Sequence, residues 1–263
     1  MDESINLGNG DNLVLRMLGS PERTILGEGG YGKVITTPKN EGLALKISKD
    51  VDMCREWSRE YDIQKRVYDN YNSARKSVRI VEPVKFAFIE EDRCYILMQR
   101  VCPPENLPQN QAVHALLGDI RGDNVYAGRG RFIGQSLLEK YMDLERLAKD
   151  LGIFLAVMHF KLGLDALDLE YILGRRCGTD RGNWVNVIDF GMVGEYDRER
   201  ASDSIIDVAY FPLEQNCDYE ECTPQERLRN EKLSESFRTS YIKEAEKYGK
   251  AEEAEEVLRL VEI

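Results

Sequence analysis

The sequence predicts an α+β fold in two lobes: a small antiparallel sheet with one helix, then a mainly helical and shortened second lobe. Three observations predict it. Residues 24–48 hold apolar and β-branched side chains on both sides of a glycine-rich turn, as paired strands do. Residues 53–69 put Met53, Trp57, Tyr61 and Val67 near one helical face. Residues 136–162 carry apolar side chains at spacings of three and four, and the second half is nearly all apolar, as in a buried helix.

The elements follow in order. "NLVLRMLG" near the start reads as a strand or a short helix. Residues 24–36 and 42–48 read as strands, with "TPKNEG" as the turn between them. After the helix come two more strands, "RIVEPVKFAFIE" and "CYILMQRV", joined by "EEDR". Residues 1–101 thus form a first lobe. Residues 102–135 are rich in proline and glycine and read as a linker or insert. Its "RGD" at 121–123 is expected to be a solvated turn. Residues 136–263 form the second lobe: the buried helix, the short strands "LEYILG" and "WVNVIDFG", and charged helical sequence from about Pro224. The final "AEEAEEVLRLVEI" reads as a solvated helix or a packing tail.

Bulk properties narrow the function. The chain has 263 residues, 42% hydrophobic and 32% charged, with a net charge of −11 and a pI near 4.9. An acidic surface repels phosphate backbones, so nucleic-acid binding is disfavoured, with a local tRNA site left open. Anchoring to anionic lipid is equally disfavoured, and no run of about 18 apolar residues could span a bilayer. The start has no signal-peptide pattern, so a cytoplasmic protein is expected. Six cysteines are dispersed (Cys54, Cys94, Cys102, Cys177, Cys217, Cys222), with no C-x-x-C pair and no zinc pattern; structural or free thiols are expected. His159 in its apolar helix is expected to be a satisfied core histidine, and Trp57 and Trp184 to be core.

The chemistry centres on "ILGEGGYGKV". Gly27, Gly29 and Gly32 are spaced G-x-G-x-x-G, with Val34 two residues beyond. A strand, a glycine-rich turn and a strand can lay backbone amides over a triphosphate, because glycine permits close approach. Such a turn needs a cation on the next strand. Lys46 in "LALK" supplies it, on the same strand face as Ala44. A lysine inside a sheet needs a partner; Glu60 on the following helix can reach it, because Ile63 and Val67 mark the packing side.

This order of parts resembles the protein kinase fold over about residues 24–195. "GEGGYGKV" resembles the glycine-rich loop, "LALK" the lysine strand, "YILMQRV" the strand entering the hinge, and "NVIDFG" the metal-binding Asp-Phe-Gly segment. The resemblance implies ATP and Mg2+ as cofactors, with Asp189 as a metal ligand. It implies Lys46 as the phosphate clamp, Glu60 as its partner and Met98 as gatekeeper. Gln99 and Val101 would then lie in the adenine-facing hinge. The catalytic loop departs from the family: "GLDALDLEYILG" has no His-Arg pair, no following lysine and no asparagine. Two registers fit. One puts Asp165 in the catalytic aspartate's place and Glu170 in that of the asparagine metal ligand; the other uses Asp168. The first is preferred. "MHFKLGLDALDLEYILG…VNVIDFG" also resembles an uncharacterised family of fungal kinase-like domains that lack the same pair.

The implied activity is ATP- and Mg2+-dependent phosphotransfer to an unknown small-molecule or protein acceptor. Few residues follow Asp-Phe-Gly and no clear A-P-E is present, so a peptide platform is not expected. Two alternatives stand beside this: a pseudokinase binding or regulatory module, and another transferase on the same scaffold, such as aminoacyl-tRNA-dependent cyclodipeptide synthesis. Fold alone does not choose among them.

Overall fold

A computed structural model describes residues 10–71, 76–89, 93–107, 113–115, 123–126, 130–133, 135–178, 182–209 and 224–261. The chain opens with helix α1 (Gly10–Gly19), resolving the first ambiguous stretch as helix. Strands β1 (Thr24–Glu28), β2 (Gly32–Thr36) and β3 (Leu43–Ser48) follow, with a single 3-10 turn at Pro38–Asn40. Helix α2 (Cys54–Asn70) comes next. The stretch expected as one strand after it is two: β4 (Val78–Ile80) and β5 (Pro83–Ile89). They part company at residues 81–82, because β4 pairs in parallel with a strand of the second lobe while β5 pairs with β6 (Arg93–Gln99).

The first sheet is antiparallel, in the order β1-β2-β3-β6-β5. Its two faces bury different sets. Ile35, Leu45, Ile47, Tyr95 and Leu97 pack against Val14 and Met17 of α1. Ala44, Cys94, Ile96 and Met98 pack against Trp57 and Cys54 of α2. The alternation of β3 and β6 thus feeds both layers, as a strand's period of two requires.

Strand β7 (Val101–Cys102) crosses to the second lobe. Within residues 102–135 lie β8 (Val113–Ala115), β9 (Asp123–Tyr126) and β10 (Gly130–Ile133). They join β11 (Glu170–Arg176) and β12 (Trp184–Ile188) in a second sheet, in the order β4-β12-β11-β8-β10-β9. Residues 121 and 122 of the "RGD" lie outside the described residues.

The long helix expected over 136–162 is interrupted. Helix α3 (Gln135–Leu138) ends, and Asp143 caps a new helix α4 (Leu144–Ala156) by accepting the Arg146 amide at 3.1 Å. An Asp at that position satisfies an orphan amide of a first turn, so it starts a helix more readily than it continues one. The helix then widens into a π turn at Val157–Lys161. Helices α5 (Arg198–Ala209), α6 (Pro224–Glu246) and α7 (Ala251–Leu260) complete the described chain. Leu147, Leu151, Phe154, Phe237 and Tyr241 are fully buried where α4 meets α6. Ala254, Val257 and Leu258 are buried as well, so the last helix packs.

The cysteines differ from the expectation of dispersed thiols. Cys54 bonds Cys94, pinning α2 to β6, and Cys102 bonds Cys177, pinning β7 to the end of β11. Separations of 40 and 75 residues give no sequence signal for such pairs. Cys217 and Cys222 lie outside the described residues. Among the described residues no helix is long and apolar enough to cross a membrane.

Candidate functional site

The glycine bend is a closed hairpin. The Gly29 amide donates to the Gly32 carbonyl at 2.9 Å, and the Lys49 ammonium donates to the Gly29 carbonyl at 2.7 Å. Gly32 must be glycine: a Cβ there would stand 2.5 Å from the Ile47 carbonyl oxygen and 2.6 Å from the Trp57 ring. Nothing lies within 4 Å of a Cβ built on Gly27 or Gly29, so the surface of the bend is open. Val34 pairs with Lys46 across β2 and β3.

Lys46 has two carboxylate partners. Its Nζ donates to both Glu60 oxygens, at 2.7 and 2.8 Å, and to Asp189 Oδ1 at 3.3 Å. Glu60 is 3% exposed, Lys46 18% and Asp189 45%. Burial alone would lower the Lys46 pKa, but Glu60 and Asp189 together outweigh it and hold the ammonium above the ordinary lysine value. The Trp57 ring lies 4.9 Å from Nζ, so this core tryptophan also borders the cation. That contact is legible only once α2 is placed on the sheet.

Backbone strain gathers opposite the lysine. Among the non-glycine residues described, Ala166, Asp168 and Asp189 adopt φ of 60°, 58° and 59°. Non-glycine residues held in the left-handed region cost about 1–3 kcal/mol each and cluster at functional sites. Asp168 is exposed, and partial desolvation of its carboxyl, followed by the charge of Asp189, raises its pKa. Glu170 opens β11 opposite Ile188. Glu170 is exposed at the strand's start, but desolvation of its carboxyl by its surroundings, then the charge of Asp189, push it up to about 7.

Asp165, which the preferred register puts in the catalytic aspartate's place, is buried and ion-paired. It is 0% exposed. One oxygen accepts the Gly194 amide at 2.8 Å and the Leu167 amide at 3.2 Å; the other accepts Arg200 Nε at 2.5 Å. A carboxylate that is 0% exposed and holds three donors is closed to an entering hydroxyl. Asp168, three residues on, faces solvent beside Asp189. Both aspartates fit the motif spacing, and burial separates them.

The hinge is partly spent. Met98 is buried and pairs with Ala44. The Gln99 amide donates to Glu82 and the Arg100 amide to Gly42, both at 2.9 Å, and Val101 is laddered to Arg176. His159 is a satisfied core histidine: Nδ1 meets the Tyr241 hydroxyl at 2.7 Å, and Nε2 meets the Asp165 carbonyl and Ser204 Oγ at 3.2 Å. His114 lies in β8, opposite Ile172. A depression lined by Glu139, Met142, Asp143 and Leu233 lies apart from all of these residues.

No protein-family model matches the chain, and no curated protein matches it. Solved structures similar to it include a kinase domain at 14% identity and a TM-score of 0.38, covering 65% of this chain. The chain spans half the length of that kinase-domain structure. The GDP complex of wild-type aminoglycoside 2'-phosphotransferase-IIIa is similar at 13% identity and a TM-score of 0.40, with 97% of each chain covered. A GDP and kanamycin complex of such an enzyme matches at 14% and 0.41, over 96% of this chain and 97% of the other. On its own topology the chain is an α+β fold with a five-stranded antiparallel sheet, in which Lys46 of β3, Glu60 of α2 and Asp189, just after β12, meet through two ion pairs.

Proposed function

We propose that the protein is an ATP- and Mg2+-dependent phosphotransferase acting on a hydroxyl acceptor. The observation that carries this reading is the meeting of Lys46, on a strand paired with the one that follows the glycine bend, with Asp189, 143 residues away in sequence. Lys46 grips the α- and β-phosphates, held charged by Glu60. Amides of the 27–32 bend cover the phosphates from above. Asp168 orients the acceptor hydroxyl and takes its proton as the new O–P bond forms and the bond to ADP breaks. Phosphoryl transfer of this kind depends on positioning and charge neutralisation, so altered loop residues are compatible with it.

The residues fit a magnesium ion. Among the described residues no group of three or more His, Cys, Asp or Glu could hold a metal alone. Mg2+ does not need one: it is usually held by one or two carboxylates plus phosphate oxygens. Asp189 and Glu170 supply the two. Glu170, pushed up to about 7 partly by Asp189, is a carboxylate that a divalent cation would favour in its ionised form. The bound ion would neutralise charge building on the transferring phosphoryl group.

ATP turnover tests the reading. Asp168→Asn and Asp189→Ala should each abolish phosphate transfer, while Asp168→Asn keeps the ATP-induced thermal shift. Binding without any turnover in the parent protein would favour a pseudokinase instead. An aminoacyl-tRNA gel shift without ATP binding would favour the other transferase reading. The cytoplasmic placement stays part of this proposal although the two disulfides count against it; a thiol titration of freshly isolated protein decides, with free thiols at these four cysteines supporting the placement and intact bonds opposing it.

A further inference from the structure

The segment after Asp189 is fastened to the loop before Asp168 more heavily than the chemistry of phosphate binding requires. Beyond the carboxylate bonds of Asp165 described above, the two backbones are paired. Leu164 bridges Glu195, the Asp165 amide donates to Gly194 at 3.2 Å, and the Tyr196 amide donates to Gly163 at 2.9 Å. Arg200, at the start of α5, spans the junction: Nε donates to Asp165 and Nη2 to the Met192 carbonyl at 3.3 Å. Gly194 leaves room for this, since a Cβ there would stand 2.9 Å from Asp165 Oδ2 and 3.1 Å from Arg200 Nη2. From the other side Arg59 of α2 donates to the Val193 carbonyl at 2.6 Å. The Asp165 carbonyl in turn meets His159, which leads to Tyr241 of α6.

In many kinases an equivalent segment is ordered only when a phosphate is added and pairs with arginine. Here a permanent aspartate already supplies the anion, and it sits in the loop while the arginine sits beyond the segment. We infer that Asp165 and Arg200 are positioning residues: a built-in ion pair that fixes residues 190–196 and so holds Asp189 beside Lys46 without covalent modification. Asp165 is then no relic of a lost catalytic residue. It exchanges proton-transfer chemistry for a clamp, and Asp168 is left to do the former. The consequence is an enzyme assembled in its working arrangement as soon as it folds. This inference rests on the phosphotransferase reading for its kinetic consequence, and on geometry alone for its structural one.

The experiment is residue-resolved hydrogen exchange on full-length protein whose intact mass shows no added phosphate, paired with ATP turnover. The Gly194 and Tyr196 amides should be protected at least about tenfold in this unmodified protein, because both are hydrogen-bonded. Arg200→Ala should raise their exchange about tenfold or more while amides of α4 keep their protection, since the partner it strands is buried. It should lower kcat by a similar factor and leave KM for ATP within about twofold. Arg200→Lys, which keeps the charge and loses the fork, should recover part of both. If Arg200→Ala also exposes α4, Asp165→Asn supplies the same comparison with less loss of volume. Free exchange at Gly194 and Tyr196 in the unmodified protein would overturn the inference. So would an unchanged exchange rate and kcat in Arg200→Ala, or KM rising as much as kcat falls. Protected amides in a protein with no ATP turnover would uphold the clamp and remove the phosphotransferase reading.

Discussion

Glu60→Gln is the most informative single change, because the structure predicts its size and also how to reverse it. The substitution keeps the shape of a side chain that is 3% exposed and removes its charge. Lys46 then loses a bidentate carboxylate at 2.7 and 2.8 Å and keeps Asp189 at 3.3 Å. Removing one partner of a buried pair costs about 3–5 kcal/mol, since the remaining charge is left without compensation. Asp189 remains and Lys46 is partly solvated, so the lower end applies, about 3 kcal/mol. At about 2–4 °C per kcal/mol for a chain of this size, Tm should fall by about 6–12 °C. Differential scanning calorimetry checks this. The sharper test is the double change Lys46→Met with Glu60→Leu. Replacing a buried ion pair by apolar groups of similar volume is often neutral. The double variant should therefore be more stable than Glu60→Gln and yet fail to bind ATP. A double variant no more stable than Glu60→Gln would refute the reasoning, because the pair would then be a net stabiliser rather than a functional device.

Three other outcomes follow from the same structure. His159 is buried and neutral, its pKa lowered to about 4 by burial, against 6.5 in the unfolded chain. The unfolded state therefore binds more protons between these values, and stability is lost as pH falls from about 6.5 to 4, by about 3 kcal/mol in all; urea unfolding at pH 7 and pH 4.5 measures it, and His159→Gln should flatten that limb. Glu170 is shifted the other way, up to about 7, so its contribution to stability of the free protein falls as pH rises from about 4.5 to 7. Mg2+-dependent ATP affinity should rise over the upper part of the same range, as the carboxyl ionises, and Glu170→Gln should abolish that rise in calorimetric titrations. Gly32→Ala should cost about 1–3 kcal/mol, because its Cβ meets backbone and the Trp57 ring, whereas Gly29→Ala meets nothing and should leave Tm unchanged while weakening ATP binding.

How much of this was legible beforehand depended on the range of the interaction. The hairpin, Lys46 and the helix bearing Glu60 could be read from alternation and spacing, since a strand of period two puts Lys46 and Ala44 on one face. The Asp-Phe-Gly segment was found by its place in an order of parts. What escaped was set by three-dimensional neighbours. Asp165 and Asp168 carry the same chemistry, and only the approach of Gly194 and Arg200 buries one of them. The break at Asp143 was hidden by apolar residues that continue on both sides of it, so periodicity outweighed the capping signal. The strands at 113–115 and 130–133 are short and lie among turn residues, and they are defined by pairing, β8 with β11 and β10 with β8 and β9, rather than by their own pattern. The disulfides join residues whose meeting depends on the sheet register.

The most direct measurement is isothermal titration of the parent protein and of Lys46→Met with ATP in the presence of Mg2+. One site per chain in the parent, with affinity lost at least about tenfold in the variant, is the result expected; the variant's Tm should fall as well, because Glu60 is left buried without its partner. No heat of binding in the parent, or equal affinity in both, would show that the lysine and Asp189 meet for structural reasons and that the glycine hairpin covers no nucleotide.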